Sequence, residues 1–513
     1  MHKFVALKAG KAKTLLYRDK STKHKVREVL WGDWLTIADG SDGADGWYEV
    51  IWSPKNPAKR QTLYIPKDDV TDTRPLEMIF VDVGQGDGSV LITPEKGSDE
   101  RVIVIDAGKE TEMHRFLAGR FDGYGDGLTF HAAVITHPDN DHYLGFGPIF
   151  RNSKFGFSHV YHNGLVERSG GKDFNKLGGR VKDAASGLHY VEALAETDTQ
   201  MKAIFGPDSG KGDFAGVIKA GLANPKVGDF KMLSSQHGTV VDGRSYMPEF
   251  GPGNGRAYTI EVLGPVPETG PNGARLRCLD KKLNSTSKGN LGKTKNAHSV
   301  VLKLRFGKFS ILFGGDLNVA AEQYLLAHYA GLTTFPVDGS DEHKAMVSEG
   351  KKRFGADVMK VCHHGASDVT DEFLSAVNPA AFVISSGDKE GHVHPRPDLL
   401  GRLGRFGRGE APVLLSTELQ RSVSPTRERE QVIALQKKLA ALTAAPTEKE
   451  LTAMKADVAK LGRSNVDVYG AIYVKTNGDR LITAFKREQG SDTDKWFWYE
   501  YELADDGSLT LID

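Results

Sequence analysis

The apolar run Ala132-Ala-Val-Ile135 feeds directly into Thr136-His-Pro-Asp-Asn-Asp-His142, so a strand ends in four side chains able to bind a metal, at positions 137, 139, 141 and 142. Histidine and aspartate cost free energy to bury unless they are partnered, so packing gives no reason for such a density of them. The segment therefore points to a strand whose C-terminal end delivers part of a metal site. In layered α/β folds such strand ends converge on one edge, and ligand sites form there. One loop supplies half of a site, and the other half must come from other strand ends.

Several strand ends qualify. Val102-Ile-Val-Ile-Asp106-Ala-Gly108 ends on a carboxylate, and Phe309-Ser-Ile-Leu-Phe313 runs into Gly314-Gly-Asp316. Val358-Met-Lys360-Val enters Cys362-His363-His364-Gly365, and Ala381-Phe-Val-Ile-Ser-Ser386 precedes His394-Pro395. Between residues 77 and 92 two strands flank the turn Asp82-Val-Gly-Gln-Gly-Asp87-Gly88. That turn lacks the Gly-Lys-Ser/Thr of a P-loop and the spacing of a dinucleotide fingerprint, so a nucleotide cradle is rejected.

At 513 residues two to four domains are expected. The formal net charge is zero, which removes any global field for nucleic acid or acidic lipid and leaves anion binding to local patches. The strongest such patch runs from Arg275 to Lys295, with Arg275, Arg277, Lys281, Lys282, Lys288, Lys293 and Lys295 against one acid, Asp280. Two cysteines make no disulfide framework. The lysine-interrupted N-terminus and the lack of a long apolar run give no membrane partner, and a cytoplasmic address is expected. Six short strands with turn signals fill residues 1–75, the spacing of a small SH3-like β-barrel that would serve as a cap or as a protein-binding module. Residues 76–424 form the central domain, with an insertion at about 150–255. Residues 425–513 read as an α+β appendage: two helices, the second opened by a Thr447/Glu450 capping box, then a hairpin turning at Asn477-Gly478.

His-x-Asp-x-Asp-His after a threonine, Asp-Val-Gly-Gln-Gly-Asp, Asp-Ala-Gly, Gly-Asp-Leu, Lys-Val-x-His-His-Gly and a late His-Pro occur in that order between residues 77 and 417. Together they resemble the ComEC-type branch of the metallo-β-lactamase superfamily, here without the membrane channel of full-length ComEC proteins. The resemblance implies an α/β fold of four layers, αββα, and a site for two divalent metal ions. His137 and Asp139 would serve one ion, Asp141 and His142 the other, with Asp316 bridging and His394 closing the set. His298 lies near the superfamily's third histidine motif and is an additional candidate ligand. Asp139 stands where the wider superfamily has histidine; a hard oxygen for a borderline nitrogen shifts the expected metal from zinc towards manganese or magnesium, with zinc still admissible.

The implied chemistry is hydrolysis assisted by two ions, most simply of a phosphodiester in DNA or RNA. Asp141, Lys360, His363 and His364 are the candidate catalytic side chains, one histidine of the pair ligating or orienting and the other serving the transition state. Asp106 and Asp87 would support the metal loop from behind. Lys281, Lys282, Lys293 and Lys295 are the candidate contacts to a phosphate backbone. A small ester, lactone or cyclic nucleotide as substrate, or a scaffold with a vestigial site, are the competing readings.

Overall fold

The computed structural model describes residues 2–8, 10–53, 58–121, 128–280, 283, 288–387, 394–409, 412–417, 435–442, 446–460, 470–487, 491–503 and 509–512. Two large mixed sheets carry the molecule. The larger has ten strands in the order Val227–Met232, Phe155–His162, Leu128–Ile135, Val102–Ala107, Gly88–Ile92, Leu76–Phe80, Ile472–Thr476, Leu481–Lys486, Trp496–Leu503, Leu509–Ile512. The smaller has eight: Thr239–Val241, Arg244–Tyr246, Tyr258–Gly264, Val301–Phe306, Phe309–Phe313, Val358–Lys360, Ala381–Ile384, Val413–Ser416. In each sheet the first or last four strands in that order pair in parallel, and the rest are antiparallel.

The inner parallel strands Val102–Ala107, Val358–Lys360 and Ala381–Ile384 are buried on both faces, which explains their apolar runs, while the edge strand Val227–Met232 is partly exposed. Ile103 and Ile105 point into a core shared with Ile260, Leu302, Leu304, Ile311 and Phe313 of the smaller sheet. Val102 and Val104, one residue out of phase, face Phe116 and Leu117 of the helix Glu112–Phe121, and Ile149 and Ile218 beyond. In the smaller sheet Leu312 turns outward onto Leu325, Leu326, Met346 and Phe373 of three helices. Parallel strands need crossover helices, and these helices seal both outer faces while the strand ends are left free for loops.

Two parts of the expected organisation change. Within the proposed insertion, Phe155–His162 and Val227–Met232 are integral strands of the larger sheet, and Arg244–Tyr246 belongs to the smaller. A four-stranded antiparallel sheet stands apart from both, formed by Val181–Lys182, His189–Val191, Gly273–Arg277 and Glu268–Gly270. The C-terminal strands are likewise not an appendage. Ile472–Thr476 pairs antiparallel with Leu76–Phe80, Leu76 opposite Thr476, and extends the larger sheet by four strands. Its hairpin closes with Thr476 opposite Leu481, a longer loop than the expected two-residue turn. Asn477 Oδ1 organises that loop by accepting from the amides of Asp479 and Arg480. The helix Glu448–Lys460 has the Thr447/Glu450 capping box, whereas most of the helix expected at 427–441 falls outside the described residues.

All six N-terminal strands form, with a seventh at Val70–Thr71, in two small antiparallel sheets around Val5, Leu16, Val29, Leu35, Val50 and Ile65. This unit is fixed to the C-terminal strands. Leu30 and Trp31 pack on Ile482, Ala484 and Trp496, and Glu28 accepts from the amides of Lys495 and Trp496 at 2.7 Å each.

Candidate metal centre

Asp106 ends its strand in a left-handed conformation, φ 55°, and is fully buried. Its Oδ1 accepts from the amide of Thr136 at 2.8 Å, and its Oδ2 accepts from the Thr136 hydroxyl at 2.7 Å and meets His142 Nδ1 at 2.8 Å. One carboxylate thus fixes both ends of the 136–142 loop. The Gly-rich turn closes over the same loop. A Cβ on Gly86, at φ 128°, would stand 2.2 Å from the carbonyl oxygen of Asp141, so only glycine admits this approach.

The smaller sheet supplies the opposing wall. Val300 donates its amide to the Thr136 carbonyl at 2.9 Å, joining the ends of one inner strand from each sheet. Ser299 Oγ accepts from the Asp316 amide at 3.0 Å, donates to the Asn296 carbonyl and lies 3.3 Å from His137 Nδ1. His363 and His364 both adopt left-handed backbone, φ 50° and 55°, before Gly365. Two successive non-glycine residues in this region cost on the order of 1–3 kcal/mol each, strain of the kind retained at functional sites.

The imidazoles converge on one oxygen. Asp316 Oδ2 lies 3.2 Å from His364 Nε2, 3.3 Å from His142 Nε2, and 4.0 Å from both His137 Nε2 and His363 Nε2. Asp141 Oδ2 is 3.4 Å from His364 Nε2, and Asp139 Oδ2 is 3.8 Å from His137 Nε2. Asp87, His142, Asp316 and His364 are all buried and offer ligand atoms within 4.8 Å of one another. The Nδ1 atoms are occupied: His142 by Asp106, His364 by the Ser385 carbonyl at 3.1 Å, His137 by the Thr136 hydroxyl at 3.1 Å. The Nε2 atoms of all three, and Oδ1 of Asp316, are sealed from solvent without a hydrogen bond. Occupied Nδ1 and a bare Nε2 aimed at a shared carboxylate is the arrangement a metal-binding histidine needs.

The electrostatics agree. Burial disfavours charge on His142 and His364, but Asp316, with Asp106 beside His142 and Asp87 beside His364, outweighs it and raises both well above the ordinary imidazole range. Burial, reinforced by His142, holds His137 well below that range. For Asp316 burial acts upward, yet His364 and His142 bring it well below the usual carboxylate value. The carboxylates thus demand positive charge at their centre, and a divalent cation bound by deprotonated ligands meets that demand. The donor set fits divalent metal.

The structure redistributes the other expected residues. Asp87, expected behind the metal loop, lies against the Nδ1 sides of His364 at 3.2 Å and His142 at 4.0 Å and is ion-paired with Lys360, close enough for its carboxylate to be counted with the cluster. Lys360 points into the site, donating to the Gly315 carbonyl at 3.1 Å with Asp316 Oδ1 at 3.9 Å, so Asp87 consumes its charge. His298 is a correction: its Nε2 sits 2.7 Å from the carbonyl of Arg277, and it lies outside the ligand group. His394 has its ring 6.1 Å from that of His363 and a buried Nδ1, and like His137, Asp139 and Asp141 it lies outside the tightest group of four. His363 has the more open side chain of the histidine pair, 28% exposed against 2% for His364.

The basic run is largely neutralised within the protein. Arg275 pairs with Asp183, Arg277 with Glu268, Lys293 with Asp368, and Lys295 with Asp139 and Glu167. Lys281 and Lys282 lie outside the described residues. Lys295, 11% exposed, is therefore spent on carboxylates, which corrects its expected role as a phosphate contact, while Lys293, 35% exposed, shares its charge with Asp368. Ser299, Asn296 and Glu167 were not singled out from the sequence; only their partners, distant in the chain, reveal them.

No family model matches the chain, and no curated protein matches it. Among solved structures, it is similar to the metallo-β-lactamase SMB-1 bound to 2-mercaptoethanesulfonate, at 10% identity over 56% of this chain and 79% of that one, with a TM-score of 0.21. A superposition that loose carries no argument, and the reading of the site stands on its geometry. No described helix is long and apolar enough to cross a membrane.

Proposed function

We propose that this chain is a metal-dependent hydrolase of phosphodiesters, on the four-layer plan of the metallo-β-lactamase superfamily and in its ComEC-type branch. The observation that carries the reading is the convergence of three buried Nε2 atoms on Asp316 Oδ2, flanked by Asp139 and Asp141. His137, Asp139, Asp141, His142, His364 and Asp316 are the residues that would hold metal, with Asp87 supporting His364 from its Nδ1 side, and two ions are the expected complement. Zinc, manganese or magnesium, when bound there, would supply Lewis acidity towards a phosphoryl oxygen and hydroxide at neutral pH.

The chain's own residues supply the rest. Asp106 orients His142, and the Ser385 carbonyl orients His364, so the ligand set is held before substrate arrives. His363 is the more accessible histidine of its pair and the candidate for contact with the leaving group. Nucleic acid is the leading substrate class; the consumption of Lys295 by Asp139 and Glu167, and the pairing of Lys293 with Asp368, favour as a second reading a small phosphodiester that needs no extended basic track. The N-terminal unit, with SH3-like strand spacing, is proposed as a protein-binding module of a cytoplasmic enzyme.

The test is direct. Metal-free protein is reconstituted with Mn²⁺, Zn²⁺ or Mg²⁺ and offered DNA, RNA and a chromogenic phosphodiester. Metal-dependent cleavage lost in Asp316→Ala is the expected result. Metal bound without cleavage of any phosphodiester would sink the reading, while cleavage of the small ester alone would select the second substrate class.

A further inference from the structure

Lys295 belongs to the short helix Leu291–Ala297, which touches three loops of the centre at once. Lys293, on the same helix, pairs with Asp368 at 3.0 Å, just beyond the His363–His364 turn. Its carbonyl accepts from Asn318 Nδ2 at 2.9 Å, two residues after Asp316. Lys295 reaches the third loop. Its Nζ ion-pairs with Asp139 Oδ1, donates to Glu167 Oε1 at 2.7 Å and donates to the Pro138 carbonyl at 3.1 Å. An ammonium has three N–H donors, and these partners use all three. The side chain is 11% exposed, so the amine is held inside the wall rather than displayed to a ligand.

The other oxygen of Asp139 is held as well. Oriented by its neighbours, the Asn296 amide donates to Asp139 Oδ2 and to the Gly292 carbonyl, each at 2.8 Å. Asp139 Oδ2 is also the atom 3.8 Å from His137 Nε2. Oδ1 therefore faces the lysine and Oδ2 faces the histidine. Asp141, His142 and His364 have no such tether to this helix: they are fixed by Asp106, the Ser385 carbonyl and each other.

We infer that Lys295 is a positioning residue for one half of the centre: by gripping Asp139 Oδ1 it presents Oδ2 beside His137 as a single ligand oxygen, so the His137–Asp139 metal position depends on this lysine and the Asp141–His142–His364 position does not. Glu167 neutralises the lysine, so a cation already beside Asp139 need not repel the incoming one. The inference rests on the two-ion reading proposed above. It also explains why a basic residue of the 275–295 run serves the site without touching substrate.

Co²⁺ titration of the metal-free full chain, followed by its visible absorption, reads the two positions separately from activity. Wild type is expected to take up two equivalents. Lys295→Met is expected to weaken one of them by about tenfold to a hundredfold, the scale of lost outer contacts in metal sites, and to leave the other unchanged. Lys295→Arg, which keeps the charge and the donors, is expected to recover most of the loss. Thermal melts of the metal-free variants check the fold, and if Lys295→Met does not fold, Lys295→Gln is titrated in its place. Two equivalents bound equally well by the variant and wild type would overturn the role of Lys295 alone. One equivalent in wild type would overturn the two-ion reading and this inference with it.

Discussion

Glu77 and Asp316 are both carboxylates sealed inside the protein, 2% and 3% exposed, and both stand among cations. Around Glu77 every donor is spent. Lys475 Nζ reaches Glu77 at 3.4 Å, Asp33 at 3.2 Å and the Trp31 carbonyl at 2.6 Å, and Arg120 covers the other Glu77 oxygen at 3.3 Å. Burial works against its charge, but Lys475, Arg120 and Arg74 prevail and hold Glu77 at about 2. Around Asp316 the polar atoms outnumber their bonds: three imidazole Nε2 atoms and Asp316 Oδ1 make none. A closed network seals the N-terminal unit, the C-terminal strands and the larger sheet together, whereas the open one is arranged for something else to complete it. Satisfaction of buried groups, rather than burial or charge, separates the two.

Substitution should drive the two clusters in opposite directions. Asp316→Ala is expected to abolish metal uptake at the shared oxygen and cut activity by on the order of a thousandfold, as measured by metal analysis and steady-state rates. In metal-free protein it also removes the charge partner of His142 and His364, which can answer by releasing their protons, so the melting temperature should fall less than in Glu77→Gln. Glu77→Gln should do the reverse, costing about 3–5 kcal/mol in denaturant unfolding by removing the buried charge that Lys475 and Arg120 share, with the folded fraction keeping its specific activity. If Asp316→Ala destabilises as severely as Glu77→Gln, the contrast fails. Asp106→Asn spans the two cases, because Asp106 is fully bonded yet serves a ligand. A loss of about 10–100-fold in metal affinity is expected, visible by competition with a chelator.

The smallest effect concerns Glu322, buried beneath the Thr370 amide, which donates to its Oε2 at 2.5 Å while Oε1 is without a partner. Burial pushes Glu322 up to about 8 against the lowering by Thr370. The folded chain then holds a proton that the unfolded chain releases above its ordinary carboxylate value, so this contribution to stability is complete at acid pH and is lost as pH rises through about 8. Between about pH 6 and 8 it should weaken by roughly 2 kcal/mol, and Glu322→Gln should remove that slope in unfolding experiments.

The 136–142 loop was legible because its ligands are contiguous and follow an apolar strand, and Asp316 because Gly314-Gly-Asp316 follows another. Asp87 was harder to read. Its place beside the ligand histidines depends on Gly86 letting the turn press on the Asp141 carbonyl and on Lys360 arriving from the opposite sheet. His298 looked equally eligible in sequence, and only the distant Arg277 carbonyl claims its Nε2. The lysines of the basic run looked free because their acids, Asp139, Glu167 and Asp368, lie far along the chain. Val227–Met232, with Gly228, Asp229 and Lys231 in it, was not readable, whereas parallel strands with unbroken apolar runs, such as Val102–Ala107 and Ala381–Ile384, were. That Ile472–Thr476 would complete the larger sheet was not, because antiparallel partners leave no local mark of which strand they choose.

That last pairing bears on how the protein is made. Until Ile472–Thr476 has left the ribosome, Leu76–Phe80 has a bare edge: an apolar strand with a row of free amides and carbonyls. From the making of residue 80 to that of residue 472, the sheet that carries the metal loop is thus open to pairing with a neighbouring nascent chain. Only arrival of the last strands covers that edge, so a stall or nick before residue 472 would leave an aggregation template.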